Sequence, residues 1–240
     1  MHRFANPARF LRIARVATPL TLWPGLALTM LGLCWGLFYA PPDYLQGDSA
    51  RIMDVHVPAA ILAEGGYAGL AVAAAVGLVW KHPLADVAAR ALAPVGAVFA
   101  AVCLITGSLW GQPTWGTWWV WDARLTSMLV LFFLYLGVIA LSNAFDEPGR
   151  GAKSAAILAI VGAINLPIIK YSVDWWNTLH QRASITLSGS TIAPALLWPL
   201  GISFLGFALL FAATVMMRMR AEIAQTRVAA RARRTAEAFA

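Results

Sequence analysis

Six charge-poor runs, at 20–39, 57–80, 91–110, 125–145, 154–169 and 195–217, constrain what this 240-residue chain can become more than any other feature. A helix needs about 20 apolar residues, at about 1.5 Å rise each, to cross a bilayer core of about 30 Å. Most of the runs match that length. The fifth is short and ends at Pro167 with Lys170 just beyond it, yet a lysine at the end of a span can reach the headgroups along its own stem. The expected fold is therefore all-α, a polytopic membrane protein with six transmembrane helices and no room for a separate soluble domain. Composition agrees, since 60% of residues are hydrophobic and 12% charged, against about 45–50% and about 25% in soluble domains. The aromatic content, 11 Trp, 11 Phe and 5 Tyr, also excludes a disordered chain. The first run is expected to persist as helix one, because it is longer than a signal-peptide core and Phe38-Tyr39-Ala40 lacks the small-x-small cleavage pattern.

Orientation follows from charge. Of the 18 Lys and Arg, 14 fall on alternate connecting segments and 4 on the others. The positive-inside bias then places both termini and the loops around Lys81 and Arg150 in the cytoplasm, leaving 40–55, 111–124 and 170–194 outside. The chain divides into a cytoplasmic amphipathic arm (1–19), a six-helix membrane domain (20–217) and a basic cytoplasmic tail (218–240). In the arm, Asn6-Pro7 suits a helix start, and Phe10, Ile13 and Val16 share a face opposite Arg9 and Arg12. That pattern predicts a short helix on the inner membrane surface. In the tail, Arg227, Arg231 and Arg234 make a basic stripe on a continuing helix, suited to anionic lipid and, as a weaker alternative, to a cytoplasmic ATPase. The net charge of +7 thus belongs to membrane topology and implies no nucleic acid. Cys34 and Cys103 lie within apolar runs as packing residues. No phosphate-binding loop occurs, so any ATP hydrolysis belongs to another subunit.

The outer segments depart from ordinary membrane composition. Trp110, Trp115, Trp118, Trp119 and Trp121 crowd twelve positions, next to Asp122. An interfacial belt accounts for one or two tryptophans per helix end, not five in one loop, and a dedicated aromatic surface is favoured. His56 and His180 lie on the same side, whereas His2 and His82 are cytoplasmic and expected to be solvated. Each outer histidine alone reads best as a hydrogen-bonded structural residue. Together, from segments far apart in sequence, they could clamp a metal from opposite faces, imidazole being a favoured ligand of haem iron. A helix through 174–180 would set Trp176 beside His180 at i and i+4, with Asn177 either orienting the ring or capping the helix. Arg51, Arg124 and Arg182 contact headgroups or hold carboxylates through paired hydrogen bonds. A flat apolar ring, a metal accepting two axial nitrogens and acidic substituents together describe haem.

The residues also resemble a known family. Trp115-Gly116-Thr117-Trp118-Trp119-Val120-Trp121-Asp122 is similar to the WWD signature of haem-handling membrane proteins of cytochrome c biogenesis. Its continuation Ala123-Arg124-Leu125-Thr126-Ser127, with Val55-His56-Val57-Pro58-Ala59-Ala60 and the blocks Ile164-Asn165-Leu166-Pro167-Ile168-Ile169 and Trp175-Trp176-Asn177-Thr178-Leu179-His180-Gln181, resembles the haem exporter protein C (CcmC) branch of the system I pathway. The resemblance spans all six runs. It implies haem b at the outer face, with His56 and His180 as axial ligands. It also implies a platform of Trp115, Trp118, Trp119, Trp121 and Asp122 with Trp176 alongside, and Arg51 and Arg124 near the propionates. It further implies a bacterial inner-membrane protein, not an enzyme, that delivers haem to a periplasmic haem chaperone beside ATP-binding cassette subunits and a small single-span subunit.

Two rivals come from other classes. A cytochrome b-type electron-transfer subunit needs histidine pairs deep in the spans, which the runs lack. A solute transporter using Glu64, an acid in the apolar run of helix two, needs a continuous polar pathway, but the cores of helices three and four carry no ionisable residue. Glu64 is otherwise expected to be a protonated, hydrogen-bonded residue within the bundle, as an acid at that depth is costly unless it serves a function.

Overall fold

The computed structural model describes residues 6–145, 147–180, 184–186 and 189–238. Long helices dominate: α1 (Pro7–Phe38), α2 (Met53–Trp80), α3 (Pro83–Trp115), α4 (Ala123–Asn143), α5 (Pro148–Gly162), α6 (Asn165–Trp175) and α7 (Pro194–Ala238). A short 3₁₀ helix, Asp48–Ile52, leads into α2. Among the described residues, six stretches are long and apolar enough to cross a membrane, with α5 and α6 forming one of them, from Gly149 to Trp175. The chain is thus an all-α polytopic membrane protein.

Pro7 follows the cap residue Asn6, whose side chain accepts from the amides of Ala8 and Arg9. The helix that starts there does not stop at the membrane surface. It runs 32 residues without a break into the first span, so the expected short surface helix is instead the first turns of α1. Breaking a helix requires a sequence signal, and Thr18-Pro19 is too weak a one once the flanking turns are apolar and lipid offers the backbone no other partner. The fifth span, by contrast, is interrupted. Ala163, Ile164 and Leu166 donate to carbonyls three residues back, at 3.1–3.2 Å, and Pro167 has no amide to restore the α pattern. Asn165 ties the interruption to α4 by donating to the Ser127 carbonyl at 2.8 Å.

Two packing systems hold the bundle. In the larger, Tyr67 and Tyr135 stand edge to face with centroids 4.9 Å apart, and the Tyr135 hydroxyl donates to the Ala63 carbonyl at 2.7 Å. Leu70, Leu131 and Ile169 fill the space around them. In the other, α1 lies along α7 through small residues. A β-carbon on Gly206 would sit 2.4 Å from the Thr29 amide nitrogen, and one on Gly32 would sit 2.6 Å from that of Ser203. Apolar packing of this kind, not the hydrophobic effect, associates helices inside lipid. At one end of the bundle, Ala40, Met53, Leu196 and Leu200 cluster with Val57 and Trp110. Cys103 is buried and Cys34 half-buried, both as free thiols.

Candidate functional site

His56 is the fourth residue of α2 and faces α3. Its Nδ1 lies 3.1 Å from the Cys103 carbonyl and 3.1 Å from the Thr106 hydroxyl. A carbonyl only accepts, so the proton resides on Nδ1 and the Nε2 lone pair is free. Thr106 in turn donates to the Val102 carbonyl at 2.7 Å, which leaves its oxygen to accept from the histidine. The ring fits because position 107 is glycine, where a β-carbon would stand 3.0 Å from the imidazole Cε1. Trp110 closes the outer side, edge-on at 5.6 Å, and its indole nitrogen donates to Gln46 at 2.7 Å.

His180 is held from another direction. Its Nδ1 lies 3.4 Å from Asp122 Oδ2, and the Thr178 hydroxyl donates to the same carboxylate oxygen. Asp122 also caps α4, its Oδ1 accepting from the Leu125 amide at 2.8 Å. One carboxylate therefore starts a transmembrane helix and orients a histidine, again leaving Nε2 free. Burial pushes the pKa of Asp122 up, but the hydrogen bonds from Thr178 and Leu125 and the nearby His180 outweigh it and hold the group below its ordinary value. Burial lowers that of His180, the charge of Asp122 only partly opposing it and Arg124 adding to it. His180 is consequently neutral near pH 7, as a metal-ligating nitrogen must be.

Both histidines line one cavity, together with Trp119, Arg124 and Glu64. Counting its open mouth, the cavity encloses about 480 Å³. Leu125, Met128 and Ile169 supply apolar wall. The Trp119 indole nitrogen is buried without a partner among the described residues. Two free imidazole nitrogens, an apolar wall, an indole and a guanidinium suit an iron macrocycle with acidic substituents.

The Trp-rich segment is less of a loop than the sequence suggests. Helix α3 continues through Pro113 to Trp115 and ends on Gly116, whose φ of 76° needs a residue without a β-carbon. The Ser108 hydroxyl donates to the Trp118 carbonyl at 2.7 Å and pins the turn back onto α3. Its tryptophans divide. Trp115 meets His180 edge-on at 4.8 Å and Trp119 faces the cavity, whereas Trp118 and Trp121 are 57% and 77% exposed.

Three expectations are corrected. Helix α6 ends at Trp175, and Trp176 has an extended backbone, φ −131° and ψ 156°, so no helix joins it to His180. Trp176 is exposed against Trp175, and Trp115 takes the place beside the imidazole. Arg51 does not line the cavity. It pairs with Asp48 at 3.0 Å and donates to the Leu37 carbonyl, tying the 3₁₀ helix to the end of α1. His82 is not fully solvated, since its Nδ1 is buried without a partner among the described residues. His2 and Arg182 lie outside the described residues. Asn177 is exposed, and the orienting role goes to Asp122 with Thr178. Sequence reasoning missed Thr178, Thr106 and Gly107. Thr178, two residues before His180, had a local signal, but the partners of His56 are distant in sequence and had none.

The heme exporter protein C family profile matches residues 1–234. Similar curated proteins share its name. The "Heme exporter protein C" of Escherichia coli is 51% identical over 220 residues, covering 92% of this chain and 89% of that protein. That of Bradyrhizobium diazoefficiens is 51% identical over 93% of this chain and 85% of its own length. That of Haemophilus influenzae is 50% identical over 93% and 91%.

Proposed function

The chain belongs to the haem exporter protein C family, and from that premise we propose that it receives haem at the outer face of the bacterial inner membrane and delivers it to a periplasmic haem chaperone during cytochrome c maturation. Haem is its cargo. It acts as a haem-transfer subunit rather than an enzyme, and ATP hydrolysis belongs to the cassette partners, alongside a small single-span subunit.

The observation that carries this proposal is the pair of histidines, each anchored through Nδ1 and both lining one cavity. Anchoring of this kind fixes the tautomer and raises ligand basicity. His56 and His180 would occupy both axial positions of haem b, Trp119 and Trp115 would support the ring, and Arg124 would face a propionate. Trp118 and Trp121, exposed on either side of Trp119 in sequence, would meet the chaperone, whose competing contacts would loosen the hold on haem. Arg51 acts indirectly, by fixing the segment that leads into His56.

Transfer is the test. Purified protein loaded with haem and mixed with the soluble domain of a periplasmic haem chaperone is expected to pass haem to it, while Trp118→Ala with Trp121→Ala retains haem but transfers at least several-fold more slowly. Protein that binds no haem, or that transfers equally well without the two exposed tryptophans, counts against the proposal.

A further inference from the structure

The cavity continues inward past the histidines along one face of α2, where His56, Ala60 and Glu64 recur every four residues. Glu64 is about 12 Å farther along the helix axis than His56, at about 1.5 Å per residue. A carboxylate at that depth is costly without a partner or a function. Among the described residues lining the cavity, Glu64 is the one carboxylate and Arg124 the one permanent cation. Both are half-buried. Arg124 enters the cavity from the first turn of α4 and Glu64 from α2, so the two opposite charges share one confined space.

A guanidinium withdrawn from water needs a counter-charge, and a carboxylate-bearing ligand needs that same guanidinium. We propose that Glu64 is the internal counter-charge of Arg124 and competes with the ligand's carboxylate for it, setting how firmly the cavity keeps an acidic cargo. With the cavity empty, Glu64 compensates Arg124. Once cargo enters, Arg124 is shared between Glu64 and a cargo carboxylate, so the hold is weaker than the same cavity would give without the acid. Glu64 also repels any carboxylate directed inward, which orients the acidic edge of the cargo toward Arg124 and the mouth. A residue that weakens retention suits a protein that passes its cargo on.

This inference rests on the haem reading above, and two measurements on the purified full-length chain in detergent separate them. The first uses haem-free protein: thermal unfolding of wild type, Glu64→Gln, Arg124→Gln and the double variant. The two substitutions are expected to be non-additive, with the second costing little once the first is made; additivity would overturn the pairing. The second loads wild type, Glu64→Gln and Glu64→Asp with hemin and follows its loss to excess apomyoglobin. Glu64→Gln is expected to lose hemin about tenfold more slowly, the scale of one charged hydrogen bond released to the cargo, and Glu64→Asp to stay near wild type. Loss from Glu64→Gln at the wild-type rate or faster would overturn the competition. A wild type that takes up no hemin would strike the haem reading instead, and the haem-free comparison would still decide whether Glu64 and Arg124 are paired.

Discussion

At the scale of single residues, Asp122 carries the heaviest combination of duties, since it caps α4 and holds both Thr178 and His180. The two duties separate by substitution. Asparagine caps a helix about as well as aspartate, so Asp122→Asn is expected to leave thermal stability within about 1 kcal/mol while weakening haem binding about 10–100-fold, the usual cost of losing a partner behind a metal ligand. Haem titration beside a melting curve checks both. Gly107→Ala makes the complementary change at the other histidine. Its β-carbon would press on the His56 ring, and the expected result is an altered haem spectrum with little change in folding. Acid acts on the haem-free protein through His180, whose pKa burial lowers from its ordinary 6.5. The unfolded chain then binds a proton that the folded chain refuses, so stability rises with pH across that interval. Melting temperatures are expected to hold above about pH 6.5 and to fall as acid is added below it. A melting temperature flat from pH 7 to pH 5 would contradict this.

At the scale of elements, the contact of α1 with α7 depends on backbones approaching through glycine. Gly206→Ala would drive a β-carbon into the Thr29 backbone, and overpacking of this sort costs about 1–3 kcal/mol. A lower unfolding temperature is expected, without loss of the haem spectrum, because the cavity lies between other helices. The elements also show where sequence is legible. Each span announces itself because hydropathy is a local sum, and Asn6-Pro7 marks a helix start through the side chain that caps it. The end of α6 was not visible, because Asp174-Trp175-Trp176-Asn177 carries neither glycine nor proline. The chain turns extended there where Thr178 and His180 meet Asp122, a residue more than fifty positions away. The continuity of α1 was hidden for a related reason. A change from amphipathic to apolar pattern looks like a boundary, while the backbone hydrogen bonds pass through it.

At the scale of the whole molecule, six spans carry a site at one end of the bundle, assembled from the first turns of α2 and α4, the last turns of α3 and the segment after α6. The residue types that line it, His56, His180, Arg124 and Trp119, stood out in the sequence. Which of them meet was not, since Arg51 and Trp176 share their chemistry but are held elsewhere by contacts no spacing reveals. The charge asymmetry of the loops predicts that both termini face the cytoplasm and the site faces out, and reporter fusions at the two ends check this by both reporting the cytoplasmic side. In the proposed site one haem is held by His56 and His180 together. Its most direct test is the absorption spectrum of the purified, haem-loaded protein, wild type beside His56→Ala and His180→Ala. The wild type is expected to show a six-coordinate low-spin spectrum that each single substitution abolishes. A wild type without a haem band, or one whose spectrum survives unchanged in both variants, would contradict it.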